Sequence, residues 1–140
     1  MYIYEAGNLT YFYETGNKEL AKNWRIQLSE FCIDNYIDYF DPSLTFDNKE
    51  NHKMSYKTIV KQNDYYLNKA DIMVVQLDGI EKSPGTLYEV YKFHRDGKPV
   101  IGFGANRPKS PHISVCIDEF CESIDDVIQV LLNMYNQTNF

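Results

Sequence analysis

Apolar residues fall into short runs that alternate with stretches repeating every three or four residues, which predicts β-strands alternating with α-helices. Tyr2 to Ala6 reads as a first strand, stopped at Gly7-Asn8, and a loop is expected from there through Thr15-Gly16-Asn17. Leu20, Ala21, Trp24, Leu28 and Phe31 share helical spacing, so a helix is predicted over roughly 18–33. Tyr36 to Phe40 reads as a second strand, ended by Asp41-Pro42. The polar stretch from Pro42 to about Asn51 is expected to be irregular. Tyr56, Ile59, Val60, Asn63 and Leu67 lie on one face of a second helix, roughly 52–69.

Asp71 to Leu77 is the plainest strand. Its unbroken apolar run suits a central parallel position covered on both faces. Pro84-Gly85 opens a third helix, roughly 85–95, closed by Asp96-Gly97. Pro99 to Phe103 reads as a fourth strand and Ile113 to Cys116 as a short fifth. A last helix runs from Ser123 to Tyr135, with Ser123 and Asp126 as its capping pair and Ile124, Val127, Ile128, Leu131 and Leu132 as its buried face. The expected fold is α/β, a flavodoxin- or Rossmann-like five-stranded, mostly parallel sheet with helices on both faces, in one domain spanning 1–140.

Composition narrows the class. A chain of 140 residues suits one core, and 44% hydrophobic with 24% charged residues is an ordinary globular balance. No apolar run approaches the ~18–20 residues of a membrane helix, and the N-terminus lacks the basic start and apolar core of a signal peptide. Cys32, Cys116 and Cys121 make an odd number without a tight pairing pattern, which points to a reducing, cytoplasmic compartment. Cys116 and Cys121 lack a further Cys or His at zinc-site spacing, so no metal site is expected. The net charge of −6 disfavours a nucleic-acid polymer, which needs a basic stripe, but not a nucleotide monomer. Some of the 12 Tyr and 8 Phe are available to stack on a base.

Ligands of such sheets bind beyond the carboxyl ends of the strands. That brings together the loops at Gly7-Asn8, from Asp41 onward and from Asp78 to Gly85, with Gly104 to Arg107 beside them. Glu89 sits about one turn into the third helix, whose N-terminus points at this rim. Backbone amides there carry roughly half a positive charge, which would keep a carboxylate ionised as a nucleophile requires; the alternative is a solvated or capping glutamate. Gly85-Thr86 offers free amides to an anion, or is a plain Pro-Gly turn. Ser83 either binds a ligand hydroxyl or phosphate, or caps the helix. Asp78-Gly79 follows the central strand, where an aspartate either accepts from sugar hydroxyls or holds a turn. Asp71 lies ~20 Å from the rim, at ~3.3 Å per strand residue, and reads as structural. Asp64 lies ~10 Å nearer the rim, with Asn63 adjacent on the apolar face. His52, His94 and His112 have no partner at ligand spacing, and Gly102-Phe103-Gly104 is only a partial dinucleotide fingerprint.

Three segments carry a resemblance. They are Asp64-Tyr65-Tyr66-Leu67-Asn68-Lys69-Ala70-Asp71-Ile72-Met73-Val74-Val75-Gln76-Leu77-Asp78-Gly79, then Ser83-Pro84-Gly85-Thr86-Leu87-Tyr88-Glu89, then Gly97-Lys98-Pro99-Val100-Ile101. With Ile3-Tyr4-Glu5-Ala6-Gly7 and Tyr39-Phe40-Asp41-Pro42 they occur in the order of the nucleoside 2-deoxyribosyltransferase family, which the chain resembles. The resemblance implies an enzyme that cleaves the N-glycosidic bond of a 2′-deoxynucleoside or its monophosphate and passes the sugar to another base. Glu89 would be the nucleophile. Asp64, or Asn63 if the helix is one residue out of register, would contact the sugar. Tyr4, Gly7 and Asn8 would border the pocket.

The resemblance also implies a homo-oligomer, a dimer or larger, with neighbouring subunits often completing the site. The partners would be a deoxynucleoside or deoxynucleotide and a free nucleobase, with no metal or organic cofactor. The family usually has glycine and alanine where this chain has Tyr91 and Phe93. Nucleoside transferases often have aspartate where this chain has Ser83, whereas relatives that hydrolyse deoxynucleoside 5′-monophosphates have serine there to hold the phosphate. The alternatives are therefore such a hydrolase, or a nucleotide-binding module without turnover.

Overall fold

The structure is a computed structural model and describes residues 1–44 and 54–136. In chain order the elements are β1 (Tyr2–Ala6), α1 (Leu9–Glu14), α2 (Lys18–Asp34), β2 (Asp38–Phe40), α3 (Tyr56–Lys69), β3 (Ile72–Gln76), a 3₁₀ turn (Ile80–Lys82), α4 (Pro84–Arg95), β4 (Val100–Phe103), α5 (Pro111–Ser114), β5 (Glu119–Cys121) and α6 (Ile124–Val130). A π-helical turn, Leu131–Tyr135, continues α6. The five strands pair in the order β2-β1-β3-β4-β5, every pair parallel. This is the α/β architecture expected. The order reverses direction at β1 and β3, which opens a crevice between their carboxyl ends.

Alternation along the strands sorts the core into two layers. Tyr4, Ala6, Met73 and Val75 face one way, against Leu67 of α3 and Val90 and Phe93 of α4. Ile3, Ile72, Val74 and Ile101 face the other way, against Trp24, Leu28 and Cys32 of α2, Val127 of α6 and Leu131 of the π-helical turn. Every residue of β3 is buried, as its continuous apolar run requires. Asp71 has the structural role expected, its carboxylate accepting the Tyr2 amide at 2.8 Å.

Four elements differ from the reading of the sequence. The segment after Gly7-Asn8 is not a loop: Leu9–Glu14 forms a short helix that buries Phe12, an apolar anchor hidden among turn formers. The second strand begins at Asp38, because Asn35 to Ile37 close α2. The Tyr36 amide donates to Ile33 O and the Ile37 amide to Cys32 O, with Tyr36 at φ 56°, a Schellman closure. Ile113 to Cys116 is not a strand. Ile113 and Cys116 bury on one side of a helical turn opened by Pro111, and Glu119–Cys121 supplies the edge strand. Leu132 is exposed rather than buried, since the helix changes pitch just before it. The second helix begins at Tyr56, capped by Ser55, later than the expected start near residue 52; residues 52 and 53, like most of the polar stretch to Asn51, lie outside the described residues. Among the described residues, no helix is long and apolar enough to cross a membrane.

Candidate active site

A cavity of about 440 Å³ opens at the crevice between β1 and β3, within the ~300–1,000 Å³ range of small-molecule sites. Its walls come from the end of β1 (Gly7, Asn8), from Asn63 and Ile59 of α3, and from the start of α4. Pro84 stands at the first position of that helix, where its missing amide proton loses nothing. Ser83 caps it: Oγ accepts from the Thr86 amide at 3.4 Å and shares a hydrogen with Thr86 Oγ1 at 2.8 Å. Ser83, Gly85 and Thr86 all face the cavity. A side-chain carbon on Gly85 would meet nothing within 4 Å, so the backbone there is open to a ligand.

Glu89 also lines the cavity. It accepts a hydrogen bond from the hydroxyl of Tyr4, whose ring is fully buried behind it in β1. Burial pushes the Tyr4 phenol far above its usual range, so it stays a donor. Burial pushes the Glu89 carboxyl up to about 7, against the Tyr4 hydrogen bond and the charge of Arg25, which pull it down; Asp64 pushes it further up. The helix N-terminus was expected to hold Glu89 ionised. Its field fades within the first turn, and Glu89 stands in the second, so desolvation wins.

The other residues singled out divide into two groups. Gly7 and Asn8 line the cavity, and Asn8 Nδ2 donates to Gly79 O at 2.8 Å, tying the ends of β1 and β3 together. A Cβ on Gly7 would come within 3.2 Å of Arg25 Nη2 and of Gln76 Cβ. Asn63 reaches the cavity whereas Asp64 is not on its wall. The Asp64 carboxylate accepts from the Tyr88 hydroxyl at 3.1 Å and pairs with Lys92 at 3.7 Å, bracing α3 against α4. Asp78 and Gly79 border a second cavity of about 700 Å³, where Asp78 holds the turn after β4 by accepting from the amides of Ala105 and Asn106. Asp41 is buried behind the rim and accepts from Arg25 and from the Ser43 amide, both at 2.9 Å.

Arg25 and Lys82 line the main cavity and were not among the candidates. Arg25 stands four residues after Ala21 and three before Leu28, so a charge on the apolar stripe of α2 was the available signal. Its Nη1 donates to Glu5 O at 3.0 Å and to Asp41 Oδ1 at 2.9 Å, and its guanidinium lies 4.5 Å from the Trp24 ring centre. Burial, and then the charge of Asp41, push the Glu5 carboxyl well above its ordinary value; it accepts from Ser29 Oγ. Asp41 is thus the carboxylate that balances Arg25. Among the described residues, no three His, Cys, Asp or Glu side chains converge as metal ligands would.

A sequence profile described as nucleoside 2-deoxyribosyltransferase like matches residues 3–106. Among solved structures, the fold is similar to a 2-deoxyribosyltransferase from the psychrotolerant bacterium Bacillus psychrosaccharolyticus, with TM-score 0.67 and 21% identity over 91% of this chain and 90% of that one. It is also similar to a conserved protein from Enterococcus faecalis V583, with TM-score 0.64 and 17% identity over 92% and 95% of the two chains. No curated protein matches the chain significantly in sequence. The profile spans β1 to the turn beyond β4, the whole rim that builds the cavity, and the chain belongs to the nucleoside 2-deoxyribosyltransferase-like family.

Proposed function

We propose that the protein cleaves the N-glycosidic bond of 2′-deoxynucleosides or their 5′-monophosphates through a covalent intermediate on Glu89. The observation that carries this reading is the Glu89 carboxyl in the cavity wall, oriented by a buried tyrosine hydroxyl. Tyr4 holds one carboxylate oxygen and leaves the other to attack the anomeric carbon, as the nucleophile of a retaining glycosidase does. A second base, or water, then resolves the glycosyl ester. A carboxyl that titrates near neutrality suits both halves of this cycle, as attacking anion and as leaving group.

Lys82, Ser83 and the amides at the start of α4 favour a substrate with a 5′-phosphate, since helix N-termini, hydroxyls and ammonium groups are ordinary phosphate ligands. On that reading water is the acceptor and free deoxyribose phosphate the product. Asn63 is the side chain of α3 proposed to meet the sugar, with Asp64 as its brace. A homodimer is supported by the exposed apolar side chains of α3 and α4, Tyr56, Val60, Tyr65, Tyr88 and Tyr91, of which Tyr56 lines the cavity.

Base release from a panel of deoxynucleosides and their monophosphates, with and without acceptor base, tests the reading. Glu89→Gln should be at least ~100-fold slower, the scale on which loss of one transition-state group is felt. A fully active Glu89→Gln, or tight binding of every compound with no base released, would remove the mechanism.

A further inference from the structure

We propose that the second cavity is a regulatory site for a nucleoside triphosphate, whose occupant competes for Lys82 with a 5′-phosphate in the first. The competition rests on the reading of the first cavity as a site for monophosphates; the binding does not. The second cavity measures about 700 Å³, inside the ~300–1,000 Å³ range of small-molecule sites. It opens beyond the ends of β3 and β4, between the turn from Asp78 to Lys82, the loop from Ala105 to Lys109, and Phe12 and Leu20 of α1 and α2. A tie separates it from the first. Asn8, on the wall of one, donates to Gly79 O, on the wall of the other, at 2.8 Å.

Its charge runs against that of the chain. The whole protein has a net charge of −6, yet Lys82, Arg107 and Lys109 all line this cavity, and all three are exposed and within reach of a ligand. Among the described residues none of the three has a carboxylate partner. Arg107 rests its guanidinium 4.4 Å from the Phe120 ring centre, a contact that uses its face and leaves its N–H edge. The two carboxylates of the cavity are engaged in holding its walls. Asp78 accepts from Gln76 and from the amides of Ala105 and Asn106. Glu81 accepts from the Lys109 amide at 2.9 Å, which draws Lys109 to the turn that carries Lys82.

Three cations without anionic partners match the phosphates of one polyphosphate chain. The volume leaves room for a nucleoside beyond them. Leu20 is 58% exposed on the same cavity and gives an apolar surface to a base, while Asn17 and Asn106 supply amides of the kind that fix orientation. Lys82 lines both cavities. One ammonium cannot neutralise two phosphates in separate sites, so a triphosphate in the second cavity weakens the hold on a 5′-phosphate in the first. By linkage the monophosphate weakens the triphosphate by the same factor.

Calorimetric titration of the native protein with ATP, CTP and inorganic tripolyphosphate tests the site. At least one nucleotide should bind, and at least ~10-fold more tightly than tripolyphosphate, since only the nucleotide adds apolar contact. Arg107→Gln with Lys109→Gln should weaken that binding by ~10-fold or more and leave base release unchanged without nucleotide. Lys57→Gln with Arg95→Gln, the same charge change away from the cavity, should bind as the native protein does. The bound nucleotide should raise KM for a deoxynucleoside monophosphate several-fold, with kcat and the KM of the free deoxynucleoside unmoved. No binding, equal binding of tripolyphosphate, or equal weakening in both double variants would overturn the proposal. So would an equal rise in KM for both substrates, which would place the nucleotide in the first cavity. If the native protein releases no base, the reading of Glu89 falls, and calorimetry still decides this site.

Discussion

Glu89 shows how one side chain can be drawn two ways by its surroundings. Tyr4 and Arg25 favour its anion, burial favours its acid, and burial prevails to leave the carboxyl at about 7. In the proposed mechanism the attacking form is the anion, so the rate of base release should climb as pH rises through about 7 and level off above it. A pH profile of kcat/KM checks this. Stability should run the opposite way. The same carboxyl titrates near ~4.3 in the unfolded chain, so the fold binds its proton more tightly. Its contribution is fully present below that value and is lost as pH rises through about 7. In denaturant melts across this window, Glu89→Gln should flatten the decline; an unchanged slope would mean that the burial is wrongly assigned.

At the scale of elements, two close backbone arrangements lead to specific expectations. Helices α2 and α4 end with the same closure, with Gly97 at φ 75° after α4 and Tyr36 at φ 56° after α2. The tyrosine is 98% exposed and buries nothing in return for a left-handed conformation that costs an L-residue ~1–2 kcal/mol. Tyr36→Gly should therefore stabilise the protein by roughly 1 kcal/mol, read as a higher denaturant midpoint with an unchanged slope. Gly102 in β4 is the opposite case. A Cβ there would stand 2.8 Å from Leu77 Cδ1 and 3.0 Å from Ile117 Cγ2, inside the packed layer under α4. Gly102→Ala should cost ~1–3 kcal/mol by overpacking, seen as a lower Tm with the far-ultraviolet spectrum intact.

For the whole molecule the question is what covers α3 and α4. In a chain of net charge −6, the exposed tyrosines of α3 and α4 are the surface that a second copy is proposed to bury. Sedimentation velocity at micromolar concentration should show a dimer. Tyr56→Glu with Tyr91→Glu should return it to monomers with the fold preserved, and if neighbouring subunits complete the site, activity should fall with dissociation. A monomeric native protein would remove this expectation. The family's glycine and alanine positions are also resolved at this scale: Phe93 is buried in the core under α4 while Tyr91 stays at the surface.

What the chain alone determined is whatever depends on local periodicity. The buried run of β3, the helical spacing of α2 and α4, the Ser83 and Ser123 caps and the parallel α/β architecture all follow from neighbours within a few residues. Where two local signals competed, the reading failed: Ile113 to Cys116 is apolar enough for a strand, yet its three-residue spacing buried a helical turn. Only the tertiary structure decided which carboxylates and amides meet across the crevice. Tyr4 and Glu89 are 85 positions apart, Asn63 rather than Asp64 turns inward, and Arg25 gains meaning only when Asp41 and the end of β1 close around it. Such contacts are set by how strands are ordered and by what burial does to charge, and neither quantity exists in an unfolded string of residues.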